Sequence, residues 1–141
     1  MEAKFTVTYM NKQIAELLSK RDHKTLAVWA TDCAEHVLPF FEDKYPKDNR
    51  PRKAIEAGRA WVRGELAVSE ARTAAFAAHA AARDTNQNAA RVAARAAGHA
   101  AATAHVAGHA VHAATYAARA ASYAVDSAKE REWQYQHLLD L

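Results

Sequence analysis

Cysteine occurs once in 141 residues, at Cys33, which excludes an intramolecular disulfide and fits a reducing compartment. No opening segment joins a basic stretch, an apolar core and a small-residue cleavage site, so a cytoplasmic location is expected. Also missing are a glycine-rich phosphate loop, a G-x-S-x-G turn, paired cysteines and an aromatic-rich basic ribbon. Catalysis therefore has no positive support, and no cofactor is implied. Acid is scarce in the middle: from residue 71 to 125 there is no glutamate and no lysine, and Asp84 is the lone carboxylate. The whole chain is nonetheless only modestly basic, with 19 Lys and Arg against 16 Asp and Glu, a net charge of +3 and a pI near 9.1. So small an excess argues against nucleic acid, whose binding domains cluster their bases in stripes. Ala96 to Ala118 runs for 23 residues without formal charge, long enough to cross a membrane. It holds four histidines and almost no Leu, Ile or Phe, which argues against a spanning helix.

What fills the middle is alanine, 27 of the 55 residues from Ala71 to Val125. Alanine is the best helix former because it has no side-chain entropy to lose, so this stretch reads as helical almost regardless of context. Its methyl recovers only about 0.8 kcal/mol on burial, so such helices need very close neighbours, with axes near the short end of about 8–10 Å. The bulky and charged residues fall at steps of four and three, one set per helical face: Arg72, Phe76, His79 and Arg83, then Arg91, Arg95 and His99. A third set runs His105, His109, His112, Tyr116, Arg119, Tyr123, opposite a small face of Val106, Ala110, Ala113, Ala117, Ala121 and Ala124. Large apolar residues gather at the two ends of the chain, so the ends are expected to wrap the middle.

The chain reads as one all-α domain over residues 1–141, of about seven helices, with its alanine-rich half at 69–125. Phe5, Val7 and Tyr9 form a short alternating lead-in, and Asn11 to Ser19 a first helix. Asp22 is placed to cap a second helix to about Lys44, with Leu26, Trp29, Ala30, Cys33, Val37, Phe40 and Phe41 as its stripe and Pro39 as its kink or end. Pro51 suits the first turn of a third helix, which Gly64 closes. Gly58 inside that helix costs about 1 kcal/mol relative to alanine, a sign that another backbone passes close. Ser69 is expected to cap a fourth helix to about Arg83. A fifth runs from Asn88 into the alanines near 100, and a sixth from Thr103 to Val125, with only Thr103 marking their boundary; one continuous helix is the alternative. Asp126 opens a last helix, with Trp133, His137, Leu138 and Leu141 as its docking side.

His105, His109 and His112 share one face at a spacing that lets imidazoles of successive turns reach one metal ion. No neighbouring carboxylate or thiol completes a tetrahedral set, so their expected role is to fill gaps between helices. Cys33 and His36 are three apart on a helix, but Cys33 lies in the apolar stripe and reads as an inert buried thiol. Arg72, His79, Arg83, Arg91 and Arg95 are candidates for gripping an acidic partner through bidentate contacts, against a plainer role in keeping alanine helices soluble.

Two runs resemble a known family. Trp29 to Phe41, continuing through Asp48 to Ala57, and Ala94 to Val106 are similar to the bacterial and archaeal "putative immunity protein" family, and the likeness covers most of residues 20–125. That resemblance implies an all-α domain related to the fifth class of immunity proteins in polymorphic toxin systems, whose members are expected to bind and silence a cognate protein toxin. It carries over no binding residues. With a pI near 9.1, the surface such a protein meets is expected to be acidic or apolar. The leading expectation is thus a binding protein without turnover. A metal-binding helical domain using His105, His109 and His112 is the alternative, and an oligomeric scaffold built on exposed alanine faces is a third.

Overall fold

In the computed structural model, which describes residues 11–124 and 126–141, a helical stretch at 11–18 (α1) leads into seven further helices. They are α2 (His23–Val37), α3 (Pro39–Glu42), α4 (Arg50–Val62), α5 (Val68–Arg83), α6 (Asn88–Ala102), α7 (His109–Ala124) and α8 (Ser127–Asp140). There is no strand among the described residues. The lead-in expected at Phe5, Val7 and Tyr9, and the helix end expected at Val125, lie outside them.

Several boundaries follow from local chemistry. The Asp22 carboxylate accepts from the Thr25 amide at 2.8 Å, and this bond holds its pKa below the ordinary value. Pro39 separates α2 from α3, where its missing amide falls at a helix start and costs nothing. Pro51 does the same in the first turn of α4. Gly64, at φ 76°, ends α4 in the left-handed conformation that only glycine adopts without strain. Asp126 caps α8 by accepting from the Ala128 amide at 2.9 Å.

Two boundaries depart from the sequence expectation. Ser69 is not a cap; α5 begins at Val68, after an extended Ala67 that makes no side-chain cap bond. An alanine-rich helix needs little help to start, and the docking of Ala71, Ala75 and Ala78 sets where it begins. The second departure is at Thr103. Neither a single long helix nor a helix starting at Thr103 forms, because residues 103–108 are an irregular reversal and α7 begins at His109. At the break, His23 Nε2 donates to the Thr103 carbonyl, which gives this backbone group a partner where the helix no longer supplies one.

α6 is the axis of the fold, packing against α2, α3, α4, α5 and α7. Ala90, Ala93, Ala94, Ala96, Ala97, Ala100 and Ala101 are all buried. Close backbone approach is explicit at Gly58, where an added Cβ would lie 3.6 Å from the Ala101 Cα and 2.8 Å from Thr31 Cγ2. Thr31 cannot easily yield, since its hydroxyl bonds the Ala27 and Val28 carbonyls, each at 2.9 Å. Larger side chains close the ends of this alanine bundle, with Trp29, Phe41, Ile14, Leu38, Ile55 and Leu138 fully buried.

The last helix docks in part as expected: Leu138 is buried, Trp133 packs half-buried against the core and His137 bonds Asp32 at 2.7 Å, but Leu141 is exposed, and Glu130, Arg131 and Gln134 are buried as well. The Gln134 amide donates to the Ala114 carbonyl at 2.8 Å and its backbone carbonyl accepts from Trp29 Nε1 at 2.9 Å. Arg131 reaches the Gln134 side chain at 2.7 Å and Thr115 at 3.0 Å. Long polar side chains thus tie α8 to α7 and α2, and full pairing is what makes their burial tolerable.

Since the central contacts are methyl on methyl, Ala117→Leu, at a fully buried position, should destabilise by about 1–3 kcal/mol in denaturant melts despite its added apolar area. A more stable variant would mean that this face has room to spare. Gly58→Ala should cost a similar amount, about 1–3 kcal/mol, with partial recovery in the double variant carrying Thr31→Ser, which removes the clashing methyl.

Candidate binding face on helices five to seven

The side chains that alanine leaves pointing outward meet across three neighbouring helices. α5 contributes Arg72, Phe76, His79 and Arg83; α6 contributes Arg91, Arg95 and His99; α7 contributes His109, His112, Tyr116 and Arg119. His99 is the hub. Its ring lies 4.9 Å from that of His79, 5.2 Å from His109, 5.3 Å from His112 and 5.2 Å from Tyr116, against which it stacks at 8°. The Arg95 guanidinium donates to His79 Nδ1 at 3.0 Å, so the proton of a neutral His79 sits on Nε2. His79 is laid flat by Gly98: an added Cβ there would be 2.6 Å from His79 Nε2 and 2.7 Å from its Cε1. Here glycine serves an imidazole on the surface, whereas Gly58 serves a helix crossing in the core.

Of the sequence candidates, Arg72 and Arg83 are exposed and His79, Arg91 and Arg95 half-buried, and all five belong to this face. The histidine trio is divided: His105 lies in the reversal before α7, while His109 and His112 are on it. The premise of one helical face for all three therefore fails. His109 pairs instead with His99, Nδ1 to Nδ1 at 3.0 Å, a partner that its own helix could not reveal. Among the described residues, no group of three His, Cys, Asp or Glu side chains is placed to hold one metal ion. Cys33 is fully buried, and desolvation first, then the nearby carboxylates of Glu130 and Asp32, push its thiol well up. His36 faces elsewhere, bonding Glu130 at 2.8 Å and stacking on Trp133 at 3.8 Å.

Charge is divided between the two sides of the molecule. On α4 the arginines are satisfied by carboxylates, whereas Arg131 of α8 bonds Gln134 and Thr115 instead. Arg59 meets Asp32 at 2.8 Å and Glu35 at 3.0 Å, Arg52 grips Glu42 through two bonds of 2.8 Å, and Arg50 meets Asp48 at 2.7 Å. These partners hold Glu35, Glu42 and Asp48 below the ordinary carboxylate range. On the α5–α7 face, among the described residues, none of Arg72, Arg83, Arg91, Arg95 and Arg119 has a carboxylate within ion-pairing distance. Arg72 lies over Phe76 at 6.0 Å and Arg119 over Tyr116 at 5.1 Å. The nearest acid in sequence, Asp84, is turned to Arg50 at 3.0 Å.

Burial, together with the adjoining arginines, pushes His79 down to about 4. Burial and the surrounding imidazoles push His99 down to about 3. The arginines rather than these two histidines therefore carry the charge of the face at neutral pH. Toward the reversal the face holds a cavity of about 190 Å³ lined by Arg72, Ala75, Phe76, His79, Ala102, His105 and His109. The Phe76 ring is 63% exposed, which makes it the most open large apolar side chain among the described residues. No helix among them is long and apolar enough to cross a membrane.

Compared with known proteins, residues 16–141 match a family model described as "Imm-5 like putative immunity protein". No curated protein and no solved structure matches the chain.

The depressed histidines make a signed prediction. Between about pH 6.5 and 4 the unfolded chain binds protons at His79 and His99 that the native state refuses, so stability is fully present above this window and falls as pH drops through it. Glu130, raised by burial, works in the opposite direction, so the readout is the difference between chains. Denaturant melts should show a smaller loss from pH 7 to pH 5 in His99→Gln than in the parent chain; identical losses would contradict the assignment.

Proposed function

The chain belongs to the "Imm-5 like putative immunity protein" family, and on that premise we propose that it neutralises a cognate protein toxin by binding it through the α5–α6–α7 face. The observation that carries this reading is the division of charge. The arginines of α4 are paired with carboxylates of the same chain, whereas Arg72, Arg91, Arg95 and Arg119 on this face are left to aromatic, imidazole and carbonyl neighbours, and none of its five arginines has a carboxylate within ion-pairing distance. Such a face offers forked donors to carboxylates that this chain does not supply. Its complement is an acidic surface on the toxin, and the attraction would speed encounter as well as fix orientation. The mode of action is stoichiometric association, consistent with a buried, inert Cys33 and with histidines occupied by one another.

The test uses the host protein that a pull-down with this chain recovers in a fixed ratio. Co-expressed parent protein should protect the cell and bind in a fixed ratio, with affinity falling as salt rises. The double variant Arg83→Glu, Arg91→Glu should melt near the parent temperature yet lose at least about tenfold in affinity, the order expected for charges that face a complementary partner. Unchanged affinity in that variant would remove this face from the contact, and protection by substoichiometric protein would overturn association as the mechanism.

A further inference from the structure

We infer that the cavity beside Phe76 is the anchor point of this face and receives one apolar side chain from an acidic loop of the partner, whose flanking carboxylates meet Arg72 and Arg95. This deepens the reading above and rests on it. At about 190 Å³ the cavity is smaller than the roughly 300–1,000 Å³ of sites that enclose small molecules, and it is of a size for a single side chain. Its lining includes the methyl groups of Ala75 and Ala102, which offer no hydrogen bond and so select an apolar tip. Arg72, held over the Phe76 ring at 6.0 Å, lines the cavity, and Arg95, outside the lining, is bonded at 3.0 Å to the His79 that does line it, so both are donors already held in place. Aromatic and arginine side chains are the residues that most often dominate binding energy, and pre-ordering them lowers the entropy lost on association.

Charge settles which occupant fits. A second copy of this chain would bring its own arginine face against this one, and like charges across an interface are repelled. A basic segment is excluded on the same ground, and a purely apolar one would leave the guanidinium donors without partners. An acidic loop with an exposed aromatic or aliphatic tip satisfies the methyl lining and the arginines together.

The experiment uses the full chain and three short capped peptides: an acidic one with a central phenylalanine, the same with a central alanine, and the phenylalanine peptide with lysines in place of its acids. Binding is followed by NMR of the His105 and His109 ring signals. The phenylalanine acidic peptide should shift both signals saturably, and the alanine peptide should bind at least about tenfold more weakly, the consequence of losing an anchor residue. The lysine peptide should not bind. Phe76→Ala, at an exposed position that the core does not use, should reduce the phenylalanine peptide to the alanine level. Equal affinity of the phenylalanine and alanine acidic peptides, or indifference to Phe76→Ala, would overturn the anchor while leaving the acidic-partner reading standing. Binding of the lysine peptide, or of none of the three, would overturn both. Loss of toxin binding in Arg83→Glu, Arg91→Glu with none in Phe76→Ala would also keep the face and remove the cavity.

Discussion

Helices can approach closely only where neither presents a side chain longer than a methyl group, and α6 meets that condition around most of its circumference. Everything else in the molecule follows from this close approach. Each buried alanine returns little free energy, so α6 must be enclosed by five other helices rather than by one or two. Where even a methyl is too large, at the crossing of α4 over α6, Gly58 appears, and Thr31 fills the space its missing side chain leaves. The larger apolar groups, Trp29, Phe41 and Ile55 among them, lie outside this alanine contact and close it off from solvent.

The same constraint sorts the charge. Because α5, α6 and α7 turn their methyls inward, their arginines, histidines and aromatics share the outer side and meet there as neighbours. α2, α4 and α8 carry longer side chains of both signs and lock together through them, as Arg59 does with Asp32 and Glu35. The arginines of α4 are therefore paired within the chain, and those of the α5–α7 face are not. A shortage of acid in the middle of the sequence becomes a localised property of the folded surface.

Features set by a few adjacent residues were legible in the sequence: the Asp22 cap, the proline at the start of α4, the left-handed Gly64, and Gly58 as a mark of close packing. The arginine stripes were legible too, because a period of four and three survives in any helix. Of the reversal at 103–108 only the break at Thr103 was legible; its length was not, since alanine flanks it on both sides and the bond to its Thr103 carbonyl comes from His23, 80 residues away. For the same reason the grouping of His105, His109 and His112 on one helical face failed, although their role between helices held for His109. His109 looks along its own helix on paper to His105, but in space it meets His99 across a turn whose existence the composition conceals. On α8 the apolar Leu138 and Trp133 were legible as a docking side, but the burial of Arg131 and Gln134 was not, because Ala114, Thr115 and Trp29 are brought to them only by tertiary packing.

The separation of methyl core from outer stripe bears on how such a protein can diversify. Residues such as Arg72, Phe76, Arg83 and Arg119 reach no buried neighbour whose packing would have to change with them, so a lineage can rewrite its recognition code position by position without first acquiring spare stability. His79 is the exception. Its ring occupies the space over Gly98, so a larger residue at 98 would force the imidazole at 79 to move, and the two sites are coupled. Descendants that trade partners should therefore vary freely along the arginine rows while inheriting the histidine and glycine as a pair or losing them together.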